Sequence, residues 1–102
     1  MPYARIANYQ FKPGTVDEVI RKAKEGMLPI FRQQPGFRRY ATVKTGDDSA
    51  VSISTWDTQQ EADAAVQKAA AWVTQNIAAS VVAVANHVGE VAFSEGVQGA
   101  NE

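Results

Sequence analysis

The chain has 102 residues, 45% of them hydrophobic and 21% charged, with a formal net charge of −1. That composition suits one soluble globular domain with a modest core, and its near-neutral charge offers no basic field to nucleic acid or an anionic membrane. There is no cysteine and one histidine, which excludes disulfides and thiolate chemistry and makes a structural zinc site unexpected. The opening residues Met1 to Ile6 carry no apolar run, so neither a signal peptide nor a membrane span is expected, and a cytoplasmic location fits.

Tyr3 to Phe11 alternates in the manner of a strand. Tyr3, Arg5, Ala7, Tyr9 and Phe11 share one face, and Ala4, Ile6, Asn8 and Gln10 share the other. Lys12-Pro13-Gly14 ends it. Thr15-Val16-Asp17-Glu18 has the spacing of a capping box, and Val16, Val19, Ile20, Ala23, Met27, Ile30 and Phe31 form the apolar stripe of a first helix. Pro29 removes the donor that the carbonyl of Glu25 requires, which predicts a kink or break near Gly26. Gln34-Pro35-Gly36 is the next turn. Phe37 to Val43 reads as strand two, and Thr45 to Ser49 as a hairpin turn into strand three, Val51 to Trp56. Thr58 to Glu61 is a second capping box, followed by a long helix with Ala62, Ala65, Val66, Ala69, Ala70, Val73 and Ile77 on one stripe. Val81 to Ala85 fits a strand or a last helical turn equally. His87 to Phe93 reads as strand four. Residues 1–95 form the single domain, and 96–102 are expected to be a disordered tail.

The order β-α-β-β-α-β is the split arrangement of a ferredoxin-like α+β domain, a four-stranded antiparallel sheet with two helices on one face. The other face, assigned by parity to Ala4, Ile6, Asn8, Gln10, Ser52, Ser54 and Trp56, is uncharged. A second copy covering it through a two-fold interface is the most economical reading, against an ordinary monomer with a bland open face.

The strand leading into Lys12-Pro13-Gly14 and a helix, the Gln34-Pro35-Gly36-Phe37 turn, and Trp56 followed by a polar cap and a long helix together resemble the antibiotic biosynthesis monooxygenase family over residues 3 to 93. The resemblance implies a homodimeric α+β barrel with a pocket in each subunit between sheet and helices. Relatives of this kind include oxygenases that act on polycyclic phenols without metal or flavin, and heme-degrading enzymes. The heme-degrading pattern is not matched, because Ala7 stands where their asparagine is expected and the second helix holds no histidine.

Candidate site residues follow from residue type. His87 has the one side chain that titrates near neutrality unperturbed, and as a catalytic base it would take a phenolic or enolic proton. Parity groups it with Val91 and Phe93 on the helix side, where it would share a cavity with Tyr9 beneath Trp72. As an ordinary strand histidine it would make one surface hydrogen bond. Tyr9, Tyr40 and Trp72 are candidates for binding a flat aromatic substrate, and plain core residues otherwise. Arg5 and Arg39 lie on apolar faces and call for a partner, with an ion pair within the dimer as the ordinary account. No metal constellation and no phosphate loop is present, so no cofactor is expected. Two functions remain open: a cofactor-independent oxygenase of a small aromatic or polyketide-like molecule, or a dimeric module that binds or senses a small ligand without catalysis.

Overall fold

The computed structural model describes residues 1–96, so most of the expected tail lies outside the described residues. Four antiparallel strands, β1 (Tyr3–Phe11), β2 (Phe37–Gly46), β3 (Ser49–Trp56) and β4 (Val81–Glu90), form one sheet in the order β2-β3-β1-β4. The first helical rod has three parts: α1 (Val16–Lys22), a π-helical turn (Ala23–Met27) and α2 (Leu28–Arg32). The second helix, α3 (Gln59–Asn76), leads through a 3-10 turn (Ala78–Ser80) into β4. This is the ferredoxin-like arrangement expected from the order of elements.

Both expected turn glycines have positive φ, +80° at Gly14 and +78° at Gly36, backbone that glycine enters without steric penalty. The α3 capping box is formed: the Glu61 amide donates to Thr58 Oγ1 at 3.2 Å, and the Thr58 amide donates to Glu61 Oε1 at 3.1 Å. The box expected at Thr15 is not formed. Its hydroxyl donates instead to the Lys12 carbonyl at 2.8 Å, and Glu18 lies 3.7 Å from both Arg21 and Lys22. Thr15 has near-helical backbone (φ −105°, ψ −11°) and makes no side-chain cap; a capping residue is normally extended.

The irregularity expected from Pro29 falls where the sequence places it, but the helix does not stop. The Leu28 amide reaches back to the Ala23 carbonyl, a five-residue step that widens the helix by one residue. Pro29 then sits in the first turn of α2, where a missing donor does no harm.

Cross-strand partners fix the two faces, because residues directly opposite point to the same side. Tyr40, Ser54 and Arg5 form one row on the helix face, and Thr42, Ser52 and Ala7 form the next. Trp56 pairs with Tyr3 on the same side and is fully buried. The expectation that Ser52, Ser54 and Trp56 lie on the open face is therefore corrected. Alternation separates two sets of residues but does not say which set meets the helices. The open face of β3 is Val51, Ile53 and Thr55. Strand four also starts earlier than expected, at Val81, and Phe93 lies beyond it, largely exposed.

The core fills the space between sheet and helices. Phe31 packs edge-on against Tyr40 and Trp56, at 5.0 and 5.3 Å between ring centroids, and Trp56 meets Phe37 at 5.5 Å. On α3 the buried stripe is Ala62, Ala65, Ala69 and Trp72; the three alanines let the helix lie close on β1 and β4, and Trp72 fills the space at its far end. Among the described residues no helix is long and apolar enough to cross a membrane.

Candidate functional site

Between the helical rod and α3 a cleft runs down to the sheet. β1 contributes Tyr9 and Phe11, β2 contributes Tyr40 and Thr42, and β3 contributes Ala50 and Ser52. Val19, Ile20, Ala23 and Met27 close it from the rod, and Trp72, Val73 and Ile77 from the end of α3. The period-two and helical stripes thus converge on one apolar space with a few hydroxyls, the usual composition of a small-molecule site. The space measures about 350 Å³ with its open mouth, yet only about 20 Å³ of it admits the centre of a water molecule. That is room for roughly one water, so a flat ligand enters only when side chains move. A second, wider recess of about 570 Å³ with its open mouth, lined by Ile20, Lys24, Leu28, Tyr40 and Thr42, adjoins it. Ile20, Tyr40 and Thr42 belong to both, and form the partition between them.

Tyr9, Tyr40 and Trp72, expected as substrate-binding residues, are brought together on this cleft. Tyr9 stacks on Phe11 with centroids 5.6 Å apart and planes within 6°. Trp72 lies so close to the π-helical turn that a Cβ on Gly26 would come within 2.7 Å of its Nε1. His87 is not part of the cleft. It stands opposite Ile6 on the open face and is exposed, whereas Tyr9 pairs with Val84 on the helix face. The expected cavity shared by His87 and Tyr9 does not exist within this subunit, because the residue count along β4 put His87 on the wrong side of the sheet.

The polar groups near the cleft are specific. Thr42 Oγ1 and Ser52 Oγ lie 3.3 Å apart across adjacent strands. Ser54, fully buried, accepts a hydrogen bond from Trp56 Nε1 at 2.9 Å. Arg5 is 1% exposed, on the helix face. Its Nη2 donates to the Tyr9 hydroxyl at 3.2 Å, its guanidinium carbon lies 5.8 Å from the centroid of the Phe31 ring, and its Nε has no partner. The ion pair across a dimer expected for Arg5 is thereby corrected: the side chain is enclosed within the core of the one chain. Its role was half visible in the sequence, since Arg5 and Tyr9 share a face of β1. At the rim, the Asp17 carboxylate accepts a hydrogen bond from Lys44 at 2.9 Å and holds that ammonium above its ordinary range, tying α1 to the end of β2. Among the described residues no three of His, Cys, Asp and Glu come together as metal ligands.

The fold is shared with several solved structures. A protein of unknown function from Nitrosomonas europaea, NE2512, superposes with a TM-score of 0.77 at 16% identity, covering 96% of each chain. SnoaB from Streptomyces nogalater, a cofactor-independent oxygenase, gives 0.71 at 14% identity, over 91% of this chain and 95% of its own. Rv0793 from Mycobacterium tuberculosis gives 0.72 at 15% identity, over 94% and 100%. At such identities the likeness is one of fold. No curated protein sequence matches this chain. The sequence model described as antibiotic biosynthesis monooxygenase does match, over residues 2–75, a span that includes every residue lining the cleft except Ile77. The chain belongs to the antibiotic biosynthesis monooxygenase family.

Proposed function

We propose that this protein is a cofactor-independent monooxygenase of a small hydroxylated aromatic or polyketide-like molecule, bound in the cleft between sheet and helices. The observation that carries the reading is the convergence of Tyr9, Tyr40 and Trp72 on one apolar space with few polar groups. Family membership and the likeness to SnoaB support it by analogy. The chemistry needs no redox centre from the protein. A ring CH2 activated by a neighbouring phenol or carbonyl ionises to a carbanion, and O2 adds to that carbon. The resulting peroxide then loses water, so that CH2 and O2 become C=O and H2O. The protein's part is to orient the ring, exclude bulk water and favour the ionised form.

One observation favours a second reading, a module that holds such a ligand without turning it over: the cleft contains no imidazole, since His87 lies on the open face. A thermal-shift screen with hydroxylated polycyclic aromatics, followed by oxygen-consumption assays on every binder, separates the two. Binding with oxygen uptake is the expected result. Binders that consume no oxygen leave the binding module, and no binder at all removes the cleft as a ligand site.

The same reading includes a homodimer. The open sheet face carries Ile6, Ile53, Ala41, Val43 and Val51 beside His87, Asn8 and Thr55, with Arg39 opposite Thr55 as a charged residue in it, and Ile6 and Val43 are 38% and 47% exposed. A surface so apolar suits a second copy of the chain. A cytoplasmic location accords with the lack of cysteine.

A further inference from the structure

Arg5 is the only charged residue in the buried set among the described residues. A guanidinium brings five N–H donors, and here one of them reaches Tyr9 while Nε meets nothing. No carboxylate among the described residues pairs with it. Phe31 supplies only its ring face, a weak substitute for a counter-charge. A buried cation left uncompensated is unfavourable, and it becomes favourable when an anion completes it.

The direction of the Arg5–Tyr9 bond says where that anion would sit. Tyr9 accepts from Arg5, so its own O–H stays free to donate, and Tyr9 lines the cleft. A positive charge thus stands one hydrogen bond behind a residue that lines the cleft, on a hydroxyl that keeps its own proton to donate. Of the other hydroxyls in the wall, those of Thr42 and Ser52 face each other, and that of Tyr40 makes no hydrogen bond to Arg5. A donor backed by charge favours a negatively charged acceptor over a neutral one. The remaining lining is aromatic and aliphatic, which suits a delocalised charge on a flat ring better than the compact, strongly hydrated charge of a carboxylate.

We propose that the cleft binds its ligand as an oxyanion, the ionised form of a phenol or enol on a flat ring, with Tyr9 as hydrogen-bond donor and Arg5 as the buried counter-charge. The inference rests on the reading of the cleft as a ligand site. It also supplies what that site lacks without His87: a pocket that stabilises the anion lets the ligand release its proton to water, with no side-chain base beside it.

The test uses 4-nitro-1-naphthol, whose visible absorption reports ionisation, its methyl ether as neutral control and 1-naphthoate as carboxylate control. The wild-type protein should bind the naphtholate about tenfold or more tighter than the ether, and the bound probe should ionise about one pH unit or more below the free one. Arg5→Met should bring the two affinities within about twofold of each other and leave the ether's affinity unchanged. It should also raise the melting temperature of the ligand-free protein, because an uncompensated charge is removed; a residue kept only for packing would lower it. Tyr9→Phe should weaken the preference in the same direction. Equal affinity of wild type for naphtholate and ether overturns the proposal while the cleft stands as a ligand site. Stronger binding of 1-naphthoate than of the naphtholate overturns it as well, and so does a preference that survives in both variants. Binding of none of the three overturns the cleft reading together with it. The wild-type comparisons hold whether or not Arg5→Met folds.

Discussion

Gly36 shows how one residue joins two corners of the molecule. Its φ of +78° sets the turn into β2, and a Cβ there would fall 2.0 Å from Glu61 Oε1, the carboxylate that completes the α3 cap. The Gly36 carbonyl also accepts from the Asp57 amide at 3.0 Å, and Asp57 pairs with Arg38. Gly36→Ala should therefore lose about 1–2 kcal/mol to left-handed backbone and up to about 1 kcal/mol more from the displaced cap. Urea unfolding checks this, and in a Glu61→Ala background the second loss should vanish. The sequence shows Pro35-Gly36 as a turn and Thr58 to Glu61 as a cap, each from local spacing. That the two meet is invisible there, since nothing local encodes a contact between distant segments. Arg5 and His87 divide in the same way. Alternation puts Arg5 and Tyr9 on one face of β1, but the hydrogen bond depends on how two long side chains fill the core. His87 was misplaced because its side of the sheet depends on register against β1, which no residue of β4 announces.

At the scale of elements, the first helical rod is shaped by Pro29 and Gly26 together. The proline forces the wide turn, and the glycine lets that turn approach the Trp72 indole. Gly26→Ala sets two effects against each other. Alanine gains about 1 kcal/mol of helix propensity, while a Cβ within 2.7 Å of Trp72 Nε1 overpacks the contact, typically at about 1–3 kcal/mol. The overpacking should win, with a net loss of about 1 kcal/mol or more and a change in tryptophan emission as the indole tilts; urea titration followed by fluorescence measures both. A variant as stable as wild type, with unchanged emission, would show that the rod absorbs the methyl elsewhere. Proline in a helical pattern is legible as a disturbance. Whether the helix breaks or widens is decided by what it must keep burying, here Met27 at the end of the irregularity and Phe31 past it.

For the whole molecule, the sheet presents a helix-free face on which Ile6, Val43, Val51 and Ile53 lie together. If a second copy covers it, Ile6→Asp should place a charge in a dry interface and weaken association by about 2–5 kcal/mol, with the cleft of each subunit unchanged. Light scattering at about 10 µM should find the wild type dimeric and the variant monomeric; a monomeric wild type would remove the dimer from the reading. The apolar residues that β1 gives this face, Ala4 and Ile6, are legible from alternation, whereas the β3 residues and Arg39, which stands opposite Thr55, are placed only by the register between strands. The strand order carries one further consequence. β1 is the first strand of the chain and lies inside the sheet, between β3 and β4, so neither of its neighbours follows it directly in sequence. Only β2 and β3 can zip together through a short turn. Emerging from the ribosome, β1 must wait with both edges bare until residue 49 has appeared, and its second edge stays open until after residue 81. Closing those long loops is the slow part of assembly, so a nascent chain of this protein carries β1 with an edge open to foreign strands until β4 has appeared.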